Sequence, residues 1–513
     1  MKLLLHGHDY KYAVEQILLA LFPEERPEYI SAPPCSEATG KILSIKHKKP
    51  PVPDGSDGFS AVSVLSFGDV FAQSVTTIKR GGQTSRGIAR VRRNKLTGKL
   101  VTDRVLQRII KTSFYKAAKF FMDRPPVWGS LTGIRPAQIA SAALASGKSE
   151  KSVTQLLTHD YYVSPERAKL CVDAALSALA LKRLLSPPDV ALYIGIPFCP
   201  SRCAYCSFVS NSVEKSFGLI DPFVQTIQRE IEAAAELIKH LGLNVIAVYI
   251  GGGTPTALPP ESLKTVLQTL GNSLDLARVR EYTVEAGRPD TITAQKLDVI
   301  KSAGVKRVCV NPQSMSQDVL DAIGRNHTPE DVLDAVRLVR KYNLALNMDI
   351  IAGLPADIVS GFMSTLNTVL SLNPGNITVH TLSLKKGSRI MLEGTSVPSG
   401  AEVAEMLKYA AERLRDSGFS PYYLYRQKFT SGGFENTGWS LPGHEGIYNI
   451  CMMEELCSVI GIGGGAVTKL VSDDGRIERI FNAKYPREYV LKADPSQSDG
   501  IANKFERIKG FYS

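Results

Sequence analysis

The chain has 513 residues, 44% hydrophobic and 22% charged, with a net charge of +11. This is the composition of ordinary globular domains, and the length suits two or three of them. No apolar run reaches the ~18 residues of a membrane span. The apolar stretch behind Met1 is too short for a secretory signal. A cytoplasmic protein with reduced thiols is therefore expected, not a disulfide framework.

The first region, residues 1–187, reads as a basic α/β domain. Lys2–Leu5 is a strand and Tyr10–Leu21 a helix. Pro51–Gly58 is a turn, and Ala61–Phe67 and Phe71–Ile78 are paired strands. Leu106–Met122 is a basic helix, and Ser164-Pro-Glu-Arg opens another. Residues 1–185 hold 28 Lys and Arg against 15 Asp and Glu, so the whole charge excess lies here. It is densest from Lys79 to Lys119, where Asp103 is the single acid. Such a stretch suits a solvated face, a nucleic-acid contact or attraction of an acidic small molecule. Composition does not choose among them.

From Val190 the pattern becomes regular β/α alternation. Strand-length apolar runs at Ala191–Ile196, Val245–Ile250, Tyr282–Glu285, Arg307–Val310, Leu346–Ile351 and Ile377–Leu382 are separated by helical stretches. Six such units predict parallel strands with helices outside, over residues 188–388. Six would close only part of a barrel, with its chemistry at the C-terminal strand ends. Residues 389–513 read as a small α+β lid or substrate region. It holds a helix at Ala401–Asp416, a strand from Tyr422 and a glycine-rich turn at Gly461–Ala466.

The chemistry centres on Cys199, Cys203 and Cys206, spaced C-x3-C-x2-C behind the first strand of the alternating region. Three thiolates in one loop suit a 4Fe–4S cube and leave its fourth iron open to an exchangeable ligand. Zinc would want a second CxxC or paired His nearby, and none follows. The remaining cysteines, Cys35, Cys171, Cys309, Cys451 and Cys457, are scattered and read as small buried side chains.

This loop, with Tyr193 and Gly195-Ile-Pro-Phe-Cys-Pro-Ser-Arg-Cys-Ala-Tyr-Cys, resembles the radical S-adenosylmethionine (SAM) superfamily. Within it the chain looks most like the oxygen-independent coproporphyrinogen III oxidases, in their HemZ-like branch. The resemblance implies a 4Fe–4S cluster on the three cysteines, one or two SAM molecules, a tetrapyrrole substrate and a reductant such as flavodoxin or ferredoxin. It implies that Gly252, Gly253 and Thr254 of Gly251-Gly-Gly-Thr-Pro meet the SAM amino group, and that Glu285 meets its ribose. Gln313, Arg325 and Asp349 match further SAM-contact positions, with Arg325 and Asp349 expected as an ion pair. Tyr193 is expected to meet SAM near the cluster, and Tyr205 to border a second SAM site. Tyr193, Glu285 and Arg325 are the catalytic candidates.

In that family a propionate of coproporphyrinogen III loses hydrogen and carbon dioxide and becomes a vinyl group. Positive charge from the N-terminal domain or Arg426 would meet the substrate's carboxylates. The chain departs from the classical oxidases of that family at three places. Gly195 replaces a His, Phe208 stands where an extra cysteine is usual, and Asn311-Pro312 replaces Gly-Val. Their N-terminal substrate motif is also absent. A heme-binding chaperone sharing this core, or a nucleic-acid-modifying radical SAM enzyme, are the alternatives.

Overall fold

The computed structural model describes residues 1–30, 58–206, 211–385, 387–427, 430–472, 474–492 and 500–513. Cys35, the turn before Gly58 and Phe208 lie outside them. Two compact units emerge. One is Met1–Ile134 with Ser146–Lys169, the other Arg135–Ala145 with Leu170–Ser513.

The first unit is a five-stranded sheet of β1 (Lys2–His6), β2 (Glu28–Ile30), β3 (Ser60–Phe67), β4 (Phe71–Arg80) and β5 (Gln83–Arg92), ordered β2-β1-β3-β4-β5. β1 runs parallel to β2 and β3, and β3, β4 and β5 form an antiparallel meander. Gly81 and Gly82, both at positive φ, make the β4–β5 turn, as a two-residue hairpin requires. β5 lies inside the basic stretch and escaped the sequence reading. Its Gly87, Ala89 and Val91 are buried while Arg86, Arg90 and Arg92 are exposed. A helix at Gly98–Ala118 covers the buried face. It passes so close that a Cβ on Gly87 would lie 2.0 Å from the Ser113 carbonyl oxygen. The helix begins eight residues before the expected Leu106, because its first two turns carry no apolar stripe to announce them.

The second unit is built on one eleven-stranded sheet. Its parallel centre is β6 (Asp189–Ile196) followed by β9 (Asn244–Gly252), β10 (Glu281–Glu285), β11 (Arg307–Cys309), β12 (Ala345–Ala352) and β13 (Asn376–Thr381). Between β6 and β9, the short β7 (Phe198–Cys199) and β8 (Asn211–Ser212) pair beside the cysteines. The six parallel strands are neighbours in sequence order, with no closed ring. Helices Ile220–His240, Pro260–Ser273, Ala294–Ser302, Pro329–Lys341 and Val359–Ser371 connect them. β6 is buried almost throughout, which is why it reads as an unbroken apolar run. Each such buried aliphatic side chain contributes about 1.5–3 kcal/mol.

Five later strands continue the same sheet. β14 (Ser420–Arg426) and β15 (Glu435–Ser440) join antiparallel beyond β13. β16 (Ser458–Gly463) runs parallel to β6, and β17 (Val467–Val471) and β18 (Ile477–Phe481) follow it. Gly461-Ile-Gly463, expected in a turn, is therefore the end of β16, and the turn starts at Gly464. Gly195 is explained by the same packing. A Cβ there would stand 2.6 Å from the Gly464 carbonyl oxygen, so the His of other family members has no room. No described helix is long and apolar enough to cross a membrane.

Candidate functional site

The C-terminal ends of β9 to β13 and the cysteine loop surround one cavity of about 360 Å³. Cys199, Cys203, Cys206, Tyr205, Gly252, Gly253, Thr254, Glu285, Gln313, Arg325 and Asp349 all line it. These residues come from six separate stretches of sequence, which the parallel topology brings together.

The cysteine loop is seated on both sides. Ala204 donates its N–H to the Ile323 carbonyl at 2.9 Å, and its own carbonyl accepts from Ile390. Its side chain joins a small apolar cluster with Leu320, Ile323, Ile351 and Leu354. A turn closes from Cys206 N–H to the Cys203 carbonyl at 3.1 Å. None of the three cysteines is in a disulfide, and all are half-buried. Cys199 Sγ lies 3.5 Å from Thr254 Oγ1. Among the described residues no three His, Cys, Asp or Glu side chains converge as the ligands of a single ion would. A cube carries its irons on separate corners, so three thiolates would bind three different irons and need not converge on one point.

The glycine run is shaped by the cysteine loop. Gly253 N–H bonds the Ile196 carbonyl and Thr254 N–H the Phe198 carbonyl, at 2.8 and 2.7 Å. A Cβ on Gly253 would fall 2.4 Å from that Phe198 oxygen. Gly252 adopts φ +106, a conformation that only glycine takes without strain. Gly251 lies under the Glu285 carboxylate, where a Cβ would be 2.7 Å from Oε2.

Glu285 accepts a 2.5 Å hydrogen bond from Tyr249 Oη. Burial pushes its pKa up to about 7, while the Tyr249 bond pulls the other way. Tyr249 stacks on Tyr448 at 4.5 Å between ring centroids, and Tyr448 stacks on Tyr193 at 5.7 Å. Tyr193 does not line the cavity. Its hydroxyl instead reaches the space in front of Gly252. Burial holds the Tyr193 and Tyr205 phenols above their usual range.

Gln313 sits at φ +66, rare for a residue with a side chain. Its backbone bridges to β12 through Asp349 and Ile351, both at 3.0 Å. That bridge aims the side chain into the cavity. Gln313 Oε1, Asn311 Oδ1 and Arg325 Nε are buried without hydrogen-bond partners. Orphans of this kind on a cavity wall are what a bound polar ligand would satisfy.

The expected Arg325–Asp349 ion pair is not formed. Arg325 Nη1 donates to the Asn311 carbonyl at 2.5 Å. Asp349 accepts from Asn347 Nδ2 at 3.0 Å and lies 3.7 Å from His380 Nε2. Asn311 and Gln313 follow β11, and the Asn311 carbonyl takes the Arg325 guanidinium while the Gln313 N–H bonds the Asp349 carbonyl. Burial opposes the Arg325 charge, but neighbouring Tyr205 and Cys203 more than restore it. Arg426 is also misplaced by the sequence reading. It does not line the cavity, and its Nη2 bonds the Gly433 carbonyl at 3.1 Å. Arg135, the first residue of the Arg135–Ala145 segment of the second unit, pairs with Glu455 of the same unit.

Several cavity residues escaped the sequence reading. Tyr249, Cys309, Asn311, Asn347 and His380 stand at or near strand ends beside residues that were found. Strand-end position was the available signal, but the register needed to use it was not. Tyr422, Tyr423 and Tyr425 line the cavity from β14, a strand outside the six repeats.

The site's donors fit an iron–sulfur cluster and SAM. Thiol sulfur is the preferred cluster ligand, and the glycine cradle and orphaned polar atoms leave room for a polar ligand beside it. Residues 193–369 match the Radical SAM superfamily, which implies a 4Fe–4S cluster and SAM. The oxygen-independent coproporphyrinogen-III oxidase-like protein HemZ of Bacillus subtilis (strain 168) is 40% identical over 371 residues, 71% of this chain and 74% of that protein. The heme chaperone HemW of Escherichia coli (strain K12) is 27% identical over 304 residues, 59% of this chain and 76% of HemW. The solved structure of the radical SAM coproporphyrinogen III oxidase HemN from Escherichia coli shares the fold. Its TM-score is 0.50 at 21% identity, over 62% of this chain and 73% of that one. The chain thus belongs to the radical SAM superfamily and, within it, to the HemZ-like branch of the oxygen-independent coproporphyrinogen III oxidase family.

Proposed function

We propose that this protein is a cytoplasmic radical SAM oxidoreductase that decarboxylates propionate side chains of coproporphyrinogen III, or of a closely related tetrapyrrole, to vinyl groups. The observation that carries the reading is the single cavity on which the cysteine loop and five successive strand ends meet. Cys199, Cys203 and Cys206 would hold the cluster and leave one iron open. Gly252, Gly253 and Thr254 would receive the SAM amino group, and Glu285 its ribose hydroxyls. Gln313, Arg325 and Asp349 would complete the pocket with their unsatisfied or outward-facing polar atoms. Tyr205, on the cavity wall, would border a second SAM molecule. Tyr193 would act at one remove, by holding Tyr448, Tyr249 and the glycine turn in register.

Bound there, cluster and SAM together supply the one-electron chemistry that breaks an unactivated C–H bond. The chain's own task is to hold both reactants in line and to exclude water. Each propionate loses one hydrogen atom, one electron and carbon dioxide. A one-electron acceptor is therefore part of the reaction, beside a flavodoxin- or ferredoxin-like donor to the cluster.

The test is an anaerobic assay of reconstituted protein with coproporphyrinogen III. Protoporphyrinogen, carbon dioxide and 5′-deoxyadenosine should appear together. Cleavage of SAM without decarboxylation would keep the enzyme class and reject this substrate. A second reading, a heme chaperone, is favoured by the HemW relatives. Tight heme binding with no turnover would select it.

A further inference from the structure

We infer that Arg288 sets the reduction potential of the cluster through the sulfur of Cys203, an inference that rests on the cofactor reading above. Arg288 follows β10 in the turn after Glu285 and is 2% exposed. Its Nε and Nη2 fork onto the two carboxylate oxygens of Asp290, each at 2.9 Å. That clamp fixes the guanidinium plane and leaves Nη1 to point at the cysteine loop. Nη1 donates to Ser201 Oγ at 3.0 Å and lies 3.8 Å from Cys203 Sγ.

A donor held in this way against a cluster thiolate stabilises whichever cluster state carries more negative charge. Reduction adds one electron, so the contact favours the reduced state and raises the potential. Asp290 cancels much of the arginine's net charge. What reaches the sulfur is chiefly a directed N–H, fixed in place before any cluster arrives. The plain alternative is that Arg288 is only a staple, holding the loop through Ser201. The two roles separate by mutation, because Ser201→Ala removes the staple and spares the sulfur contact.

The experiment is a redox titration of the anaerobically reconstituted protein, followed by EPR, with iron content measured alongside. Arg288→Gln should lower the potential by about 59 mV or more, a tenfold shift in a one-electron equilibrium. Arg288→Lys keeps the positive charge but gives up the forked clamp that aims Nη1, and should lower it by less. Ser201→Ala should leave it unmoved. Arg288→Gln protein with full iron content and an unchanged potential overturns the inference. If that variant takes up no iron, Arg288→Lys decides, and an unchanged potential in that loaded protein overturns it as well. A wild-type protein that forms no cluster contradicts the cofactor reading itself, a result distinct from a loaded variant with an unmoved potential.

Discussion

Tyr249 holds Glu285 by a 2.5 Å hydrogen bond while burial lifts that carboxylate to about 7. The pair opposes its own environment, and the balance has consequences at neutral pH. In the role proposed for it at the SAM ribose, Glu285 would act best as an ionised acceptor. SAM affinity should therefore weaken as pH falls through about 7. Tyr249→Phe removes the contact that favours the carboxylate, so the weakening should begin at higher pH. A hydrogen bond to a charged group is worth about 1.5–3 kcal/mol, so the loss at pH 7 should be roughly tenfold or more. SAM titrations of the anaerobic protein from pH 6 to 9 measure this. Superimposable wild-type and variant profiles would refute it.

The same carboxylate makes a stability prediction. The folded pKa is raised, so the folded state holds the proton more tightly than the unfolded chain does. Stability from this group is greatest below the unfolded value and is lost as pH rises through about 7. Glu285→Gln should then stabilise the SAM-free protein relative to wild type more at pH 8 than at pH 5. Thermal melts at the two values test the sign.

Two glycines that look alike in sequence should behave oppositely. Gly253→Ala drives a methyl into the Phe198 backbone beside Cys199. It should cost about 1–3 kcal/mol and impair both iron retention and SAM binding. Gly271, in the helix Pro260–Ser273, has nothing within 4 Å of an added Cβ. Gly271→Ala should stabilise by about 0.4–1 kcal/mol and leave iron content unchanged. Melting curves and iron assays distinguish the two.

The fully buried Glu230 accepts from Lys504 Nζ at 2.6 Å, Tyr489 Oη at 2.5 Å and Gly463 N–H at 2.7 Å. This ties the last helix to the end of β16, next to β6. Lys504→Met leaves the carboxylate without its cation and should cost about 3–5 kcal/mol. Chemical denaturation measures it, and a loss under 1 kcal/mol would show that the neutral donors suffice.

The arginines of β5 carry a separate prediction. Arg90 and Arg92 lie on its exposed face, and Arg93 follows. If their charge gathers a polycarboxylate substrate, replacing all three by Glu should raise KM several-fold at low salt and less at high salt. An unchanged KM removes the idea and leaves a solvated face.

The six parallel strands were legible because strands buried on both faces read as continuous apolar runs. That Cys199, Cys203 and Cys206 share one loop on the cavity was legible because their spacing is local. β5 was not, since an edge strand with arginines on one side looks like loop. Nor was β16, because Gly461 and Gly463 punctuate it. They are there because β17 and β6 press against them, and a Cβ on Gly461 would lie 2.7 Å from the Val467 backbone. Arg325 and Asp349 were rightly brought to one cavity but wrongly joined. Arg325 takes the Asn311 and Gly287 carbonyls and Asp349 the Asn347 amide, partners fixed by tertiary packing that spacing does not encode.

The most direct measurement is EPR of the anaerobically reconstituted, reduced protein before and after SAM is added. The account predicts roughly four irons per chain in a cubane signal that changes shape with SAM, and its loss when any one of Cys199, Cys203 or Cys206 becomes Ser. A wild-type protein without a cubane signal, or with one that SAM leaves unaltered, would contradict it.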